Sequence, residues 1–244
     1  MKRLLILGGT GDAATLTREA NELPDLKIIY SLAGRTRKPN LPDCEVRLGG
    51  FGGVEGLVTY LNEAEIDMVV DATHPFAATM AAHVAEACTE TNIARLKYCR
   101  PAWKQGDVSW TSVPDYASAA EQLQDMGSRI FLSIGTKDLE VFAELADKWF
   151  LIRAVEEPSK PIPLDNHELL LERGPFNKGH EQTLLVMTQI DVLVSKNSGG
   201  KMATKLSAAH SLGIPIIMIE QPPSPAGDVV DSVEDVLKWV RKLK

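Results

Sequence analysis

The 244-residue chain has only three cysteines, Cys44, Cys88 and Cys99, with no C-x-x-C pair among them. An odd, widely spaced set argues against a disulfide framework and predicts reduced, packed thiols. Long apolar runs are missing too. No stretch reaches the roughly 20 residues that cross a bilayer, and Met1, Lys2 and Arg3 lead straight into Leu4-Leu5-Ile6-Leu7. A cytoplasmic protein with no membrane anchor or signal peptide is therefore expected. There is also no surplus of positive charge. Asp and Glu number 33 against 26 Lys and Arg, a net charge of -7, which speaks against a general nucleic-acid binder because such proteins displace counterions with a basic surface. None of Tyr30, Tyr60, Tyr98 and Tyr116 has Lys four residues later, as the short-chain dehydrogenases and epimerases require. Neither His167 nor His180 has a second His at that offset, so zincin chemistry has no support and no metal site is expected.

The first eleven residues carry the most information. An apolar strand runs into Gly9, Gly11 and Ala14 at the spacing G-x-G-x-x-A, a helical stretch follows from Ala13 to Leu23, and Lys27 to Ser31 reads as a second strand. That order is the opening of a dinucleotide fold. Glycines let backbone amides approach a pyrophosphate, and the helix aims its positive end at the charge. The end of the second strand reads Ser31-Leu32-Ala33-Gly34-Arg35-Thr36-Arg37-Lys38, with no acid to accept bonds from ribose hydroxyls. Charge-assisted bonds to Arg contribute roughly 1.5 to 3 kcal/mol, so Arg35 on a 2′-phosphate favours NADPH by about one to two orders of magnitude. NADH remains possible, and a solvated basic loop is the alternative.

Strand and helix signals alternate along the rest of the chain. Glu45 to Leu48 and Met68 to Asp71 read as strands, the first closed by Gly49-Gly50-Phe51-Gly52-Gly53 and the second by Thr73-His74-Pro75-Phe76. Ala94 to Tyr98 would be a fifth strand. The pattern lapses between Arg100 and Pro114, then restarts with a helix over Tyr116 to Met126, a strand over Arg129 to Ile134 and a helix over Asp138 to Asp147. Phe150 to Val155, Glu168 to Leu171, Asp191 to Ser195 and Ile214 to Ile219 follow as strands, and Ser232 to Leu243 as the closing helix. The expected architecture is α/β, with two Rossmann-like domains, 1–105 and 106–244, of mostly parallel sheet and a ligand cleft between them.

In the second half, Ser195-Lys196-Asn197-Ser198-Gly199-Gly200 joins a strand to a helix carrying Lys201 and Lys205, four apart and so on one face. This reads either as an anion site or as an ordinary turn with Ser198 as N-cap. Arg100, Arg153 and Arg173 fall at strand ends, where open α/β sheets bind ligands. Together they suggest an anionic substrate; singly, each is an ordinary surface residue or ion pair. His74, held extended by Pro75, sits where a nicotinamide ring would project and could donate a proton, or it could simply shape the loop.

Taken in order, Leu7-Gly8-Gly9-Thr10, Ser31-Leu32-Ala33-Gly34-Arg35, Gly49-Gly50-Phe51-Gly52-Gly53 and Asp71-Ala72-Thr73-His74-Pro75-Phe76-Ala77 form a recognisable set. With Arg100-Pro101-Ala102-Trp103, Arg173-Gly174-Pro175-Phe176 and Lys196-Asn197-Ser198-Gly199-Gly200, the chain resembles the precorrin-6A and cobalt-precorrin-6A reductase family over nearly its whole length. The resemblance implies NAD(P)H-dependent reduction of one double bond of a tetrapyrrole bearing acetate and propionate groups, in cobalamin biosynthesis. The alternative is an NADP-binding sensor without redox turnover. Cofactor candidates are Gly9, Thr10, Gly11, Asp12, Ala13, Ser31, Gly34, Arg35, Thr36, Gly50, Phe51, Gly52, Thr73 and His74. Substrate candidates are Arg100, Arg153, Arg173, Lys196, Asn197, Ser198, Gly199 and Lys205, and His74 is the one catalytic candidate. A monomer or weak homo-oligomer is expected.

Overall fold

The computed structural model describes residues 1–34 and 41–244, so the sequence expectations for Arg35 and Thr36 lie outside the described residues. The chain forms two compact units, Met1–Pro101 with Pro222–Lys244, and Ala102–Gln221.

The first unit runs β1 (Lys2–Leu7), α1 (Gly11–Asn21), β2 (Leu26–Leu32), β3 (Glu45–Leu48), α2 (Val54–Glu63), β4 (Met68–Asp71), α3 (Ala78–Glu90) and β5 (Ala94–Tyr98). The continuous apolar run of β1 is buried because a parallel strand is covered on both faces. Successive side chains point to opposite sides. Leu4 and Ile6 enter the core with Leu16, Ala20 and Tyr30, while Leu5 and Leu7 enter the other with Leu57, Leu61 and Val84.

The second unit runs β6 (Thr111–Val113), α4 (Tyr116–Leu123), β7 (Arg129–Ser133), a 3-10 turn (Leu139–Phe142), β8 (Trp149–Ala154), β9 (His167–Leu171), α5 (Lys178–Met187), β10 (Val192–Lys196), α6 (Thr204–Ser211) and β11 (Ile216–Ile219). The chain then returns to the first unit through β12 (Val229–Val230) and α7 (Val233–Leu243). The two sheets are ordered β3-β2-β1-β4-β5-β12 and β9-β8-β7-β10-β11-β6. Every pairing in both is parallel.

Three sequence expectations are corrected. The division at 105/106 put the closing helix in the second half. It belongs to the first unit, because β12 pairs with β5 and because Val236, Leu237 and Val240 complete the core around Leu16 and Ala20. The helix expected over Asp138 to Asp147 is one short 3-10 turn entered through Asp138 at φ 61, with no side-chain cap bond. The helix expected to carry both Lys201 and Lys205 starts only at Thr204, after Gly199 and Gly200 at φ 69 and 75, so Lys201 lies in the loop before it.

Candidate functional site

In the first sheet the chain builds outward from β1, and in the second, after the edge strand β6, from β7; each then reverses and builds the other way. The reversal leaves a crevice at the strand carboxyl ends, where ligands bind in open parallel sheets. It falls between β1 and β4 in the first sheet and between β7 and β10 in the second.

At the first reversal the ladder continues past the strands. Gly8 N–H donates to Ser31 O at 2.9 Å, Ala72 N–H to Leu7 O at 2.9 Å, and Gly49 N–H to Leu32 O at 2.8 Å. The glycine turn therefore rests on the ends of its neighbours. Gly9, at φ 113, donates its N–H to the Tyr30 hydroxyl at 3.2 Å. Burial raises the Tyr30 phenol above its usual pKa, keeping it neutral. Thr10 caps α1: its Oγ1 accepts the Ala13 N–H at 3.1 Å and donates to Ala72 O at 3.4 Å, tying the glycine turn to the loop after β4. Asp12, in the first turn of α1, has Arg100 Nε at 3.4 Å, and the Tyr98 hydroxyl donates to it at 3.5 Å. Arg100, read from the sequence as substrate-side, thus stands beside the helix terminus of the first unit. Ser31 is buried at the end of β2, and Gly34 is exposed at φ 74.

Sequence reasoning missed the device that shapes the loop after β3. Arg47 donates to Gly49 O at 2.6 Å and to Gly50 O at 2.8 Å, with its guanidinium 3.7 Å over the Phe51 ring. Phe51 in turn meets Tyr60 edge-on at 5.2 Å. Gly49, Gly50 and Phe51 are held as a group by these bonds and the cation–π stack. The signal was an Arg two residues before the glycine run on a strand of alternating pattern.

Beyond β4, Asp71 and Lys97 form a buried ion pair at 3.0 Å. His74 Nδ1 accepts the Phe76 N–H at 3.2 Å. With Nδ1 an acceptor, the neutral ring carries its proton on Nε2.

At the second reversal Ser133 and Ser195 pair across β7 and β10. Lys205, half-buried on α6, donates to the Ser133 hydroxyl at 2.6 Å and carbonyl at 3.3 Å. Burial pushes its ammonium down to about 7, with Glu181 opposing and Arg153 and Lys196 adding to the fall. Lys196 Nζ lies 6.0 Å from the Tyr116 ring centroid, and Arg173 is half-exposed with Glu156 at 3.7 Å.

Arg153 and Asn197, both substrate candidates in sequence, are committed to structure. Arg153 makes a two-pronged pair with Glu181 at 2.8 and 2.9 Å, buried and 4.2 Å over the Phe176 ring. Asn197 accepts the Trp103 N–H at 2.7 Å and donates to Trp103 O at 3.0 Å and to Glu220 at 3.1 Å, so it fastens the loop after β10 to residue 103. Ser198 donates to Lys196 O at 3.4 Å instead of capping α6, whose N-cap is Ala203. Gly199 is buried.

Among the described residues, no cluster of His, Cys, Asp and Glu could hold a metal, and no helix is long and apolar enough to cross a membrane. Among the described residues Cys44, Cys88 and Cys99 form no disulfide, and burial pushes Cys88 up to about 11.

The family model for precorrin-6x reductase CbiJ/CobK matches residues 3–241. A precorrin-6A reductase of Rhodococcus erythropolis is 45% identical over 100% of this chain and 99% of its own. A cobalt-precorrin-6A reductase of Priestia megaterium is 28% identical over 96% of each. The solved structure of a CobK precorrin-6A reductase superposes with a TM-score of 0.90 at 41% identity, covering 100% of this chain and 97% of that one. The chain, with its two six-stranded parallel sheets, belongs to the precorrin-6x reductase CbiJ/CobK family.

Proposed function

We propose that this chain reduces precorrin-6A to precorrin-6B with NADPH, as an oxidoreductase of cobalamin biosynthesis in the cytoplasm. The observation that carries the reading is the doubled reversal: one parallel sheet ends in a capped glycine turn, and a second ends in lysines. Identity of 45% with a precorrin-6A reductase against 28% with a cobalt-precorrin-6A reductase favours the metal-free macrocycle.

The residues at the first reversal fit a dinucleotide. Gly9 and Gly11 leave the turn open, since a Cβ built on either meets nothing within 4 Å, and the α1 terminus favours a pyrophosphate. Asp12 would oppose that charge; Arg100 offsets it. Arg35 supplies the contact that selects the 2′-phosphate. When bound, NADPH supplies the hydride.

The chain's own residues supply position and charge. His74, holding its proton on Nε2, acts as a hydrogen-bond donor that orients the reacting partners, and water delivers the matching proton. Much of the acceleration comes from holding donor and acceptor carbons together. Lys205, Lys196 and Arg173 take substrate carboxylates, whereas Arg153 and Asn197 brace the elements that carry them. The enzyme acts as a monomer or a weak homo-oligomer.

Anaerobic turnover of metal-free and cobalt-containing substrate with NADPH and with NADH tests the assignment. Fast oxidation of NADPH with the metal-free macrocycle is expected. Tight NADPH binding with no oxidation in the presence of either macrocycle would overturn it in favour of a sensor.

A further inference from the structure

Asp71, the last residue of β4, pairs in direct register with Lys97, the next to last of β5, and their side chains are 0% and 3% exposed. Lys97 Nζ lies 3.0 Å from Asp71 Oδ2. The same ammonium reaches the Thr73 carbonyl at 3.4 Å and the Thr73 hydroxyl at 3.3 Å. Asp71 Oδ1 accepts the Thr73 N–H at 3.0 Å and its O–H at 2.7 Å. Asp71 Oδ2 meets the ammonium as an ion-pair contact and accepts no hydrogen bond, so the side-chain hydrogen bonds of Lys97 go to Thr73 alone. Every polar atom of Thr73 is engaged by this pair.

A buried ion pair is a weak stabiliser, because desolvation offsets the Coulomb attraction and apolar replacement is often neutral or better. Stability alone therefore does not account for two buried charges whose remaining bonds all go to one loop residue. That residue is placed where geometry matters. Its predecessor Ala72 takes the Thr10 hydroxyl, and its carbonyl belongs to the peptide plane that joins it to His74. Fixing that plane fixes where the His74 ring starts, and Phe76 N–H then holds Nδ1.

We propose that Asp71 and Lys97 are positioning residues for the reduction: through Thr73 they hold the His74 ring, in its Nε2–H form, at the reversal between β1 and β4. This rests on the reductase reading above. Neither residue need touch substrate or cofactor.

The test uses Asp71→Asn, Lys97→Met, the double variant and Thr73→Val. The readouts are melting temperature, NADPH dissociation constant, kcat and KM for precorrin-6A, and the nitrogen-15 spectrum of the His74 ring without ligand. Each charge variant leaves a lone buried charge and loses stability and activity together. The double variant regains its melting temperature to within a few degrees, yet kcat stays at least about tenfold down and the His74 ring shows mixed tautomers. Thr73→Val keeps the ion pair and both backbone bonds to it but loses the two hydroxyl bonds, and lowers kcat by about threefold with a melting temperature only a few degrees down. A double variant that recovers kcat along with its melting temperature, or a Thr73→Val protein with wild-type kcat and tautomer, would overturn the proposal. Should the double variant fail to fold, Thr73→Val decides. Wild-type protein that neither binds NADPH nor turns over would refute the reductase reading instead, while the His74 spectrum would still report on the positioning.

Discussion

Gly9 donates its N–H to the Tyr30 hydroxyl at 3.2 Å, and the adjoining Gly8 lies against the same ring. A Cβ on Gly8 would fall 2.1 Å from Tyr30 Cε2. The first glycine of the turn is therefore set by a buried tyrosine below it, and one amide of the turn is already bonded within the protein. Gly8→Ala must displace the ring, an overpacking cost of about 1 to 3 kcal/mol, or a melting temperature lower by on the order of 5 °C. Adding Tyr30→Leu should restore much of that stability. NADPH affinity should stay below wild type, because the turn has lost the Gly9–Tyr30 bond that fixes its geometry. Calorimetry and cofactor titration on the same samples separate the two effects.

Arg35→Ala should weaken NADPH by about ten- to a hundredfold and leave NADH nearly unchanged, since a guanidinium on a phosphate contributes roughly 1.5 to 3 kcal/mol. Dissociation constants for both cofactors are the readout. Equal losses would remove the phosphate contact from the account.

Glu181→Gln should destabilise the second unit severely. It leaves the buried Arg153 guanidinium with only the longer contact to Glu172 at 3.6 Å, so the cost approaches the about 3 to 5 kcal/mol of a broken buried pair. Arg153→Met with Glu181→Leu should recover most of the loss. Chemical denaturation of the three variants measures it. A substrate KM that stays close to wild type in the double variant would agree with a bracing role for Arg153.

His74→Ala should lower turnover by about ten- to a hundredfold, as expected for loss of one orienting hydrogen bond in a half-buried site. Steady-state kcat at saturating NADPH is the measurement. A loss beyond about a thousandfold would mark His74 as the proton donor after all.

The central strands were legible because their apolar runs are continuous, and β1 ends directly in glycine. β6 and β12 were not, since three and two residues carry no period, and β12 pairs with a strand 132 positions earlier in sequence, Val229 with Lys97. The same limit governs the site. Thr10 and the glycine loops announce themselves locally. Arg153 and Arg173 look alike in sequence, however, and only the fold shows that Glu181, 28 residues from Arg153, claims one of them. Lys205 was found for a reason that failed, a shared helix face with Lys201, yet it stands at the second reversal on Ser133.

Lys205 gives the sharpest pH dependence. Burial holds its ammonium near 7, far below the ordinary lysine value of about 10.4, so positive charge is present below about pH 7 and fades above it. A carboxylate contact made by this ammonium predicts that kcat/KM for the tetrapyrrole falls through an apparent pKa of about 7 as pH rises, while the dissociation constant for NADPH stays flat. Lys205→Arg, charged at all accessible pH, should abolish that limb, and Lys205→Met should give low, pH-independent values. Stability moves the other way. Between about pH 7 and 10.4 the unfolded chain binds the proton that the folded one has released, so the lowered pKa makes folding more favourable as pH rises. Melting of wild type relative to Lys205→Met should therefore improve across the same range in which substrate affinity declines. That opposition distinguishes loss of a substrate contact from alkaline unfolding, and a kcat/KM profile that stays level through pH 7 in wild type would remove Lys205 from the substrate site.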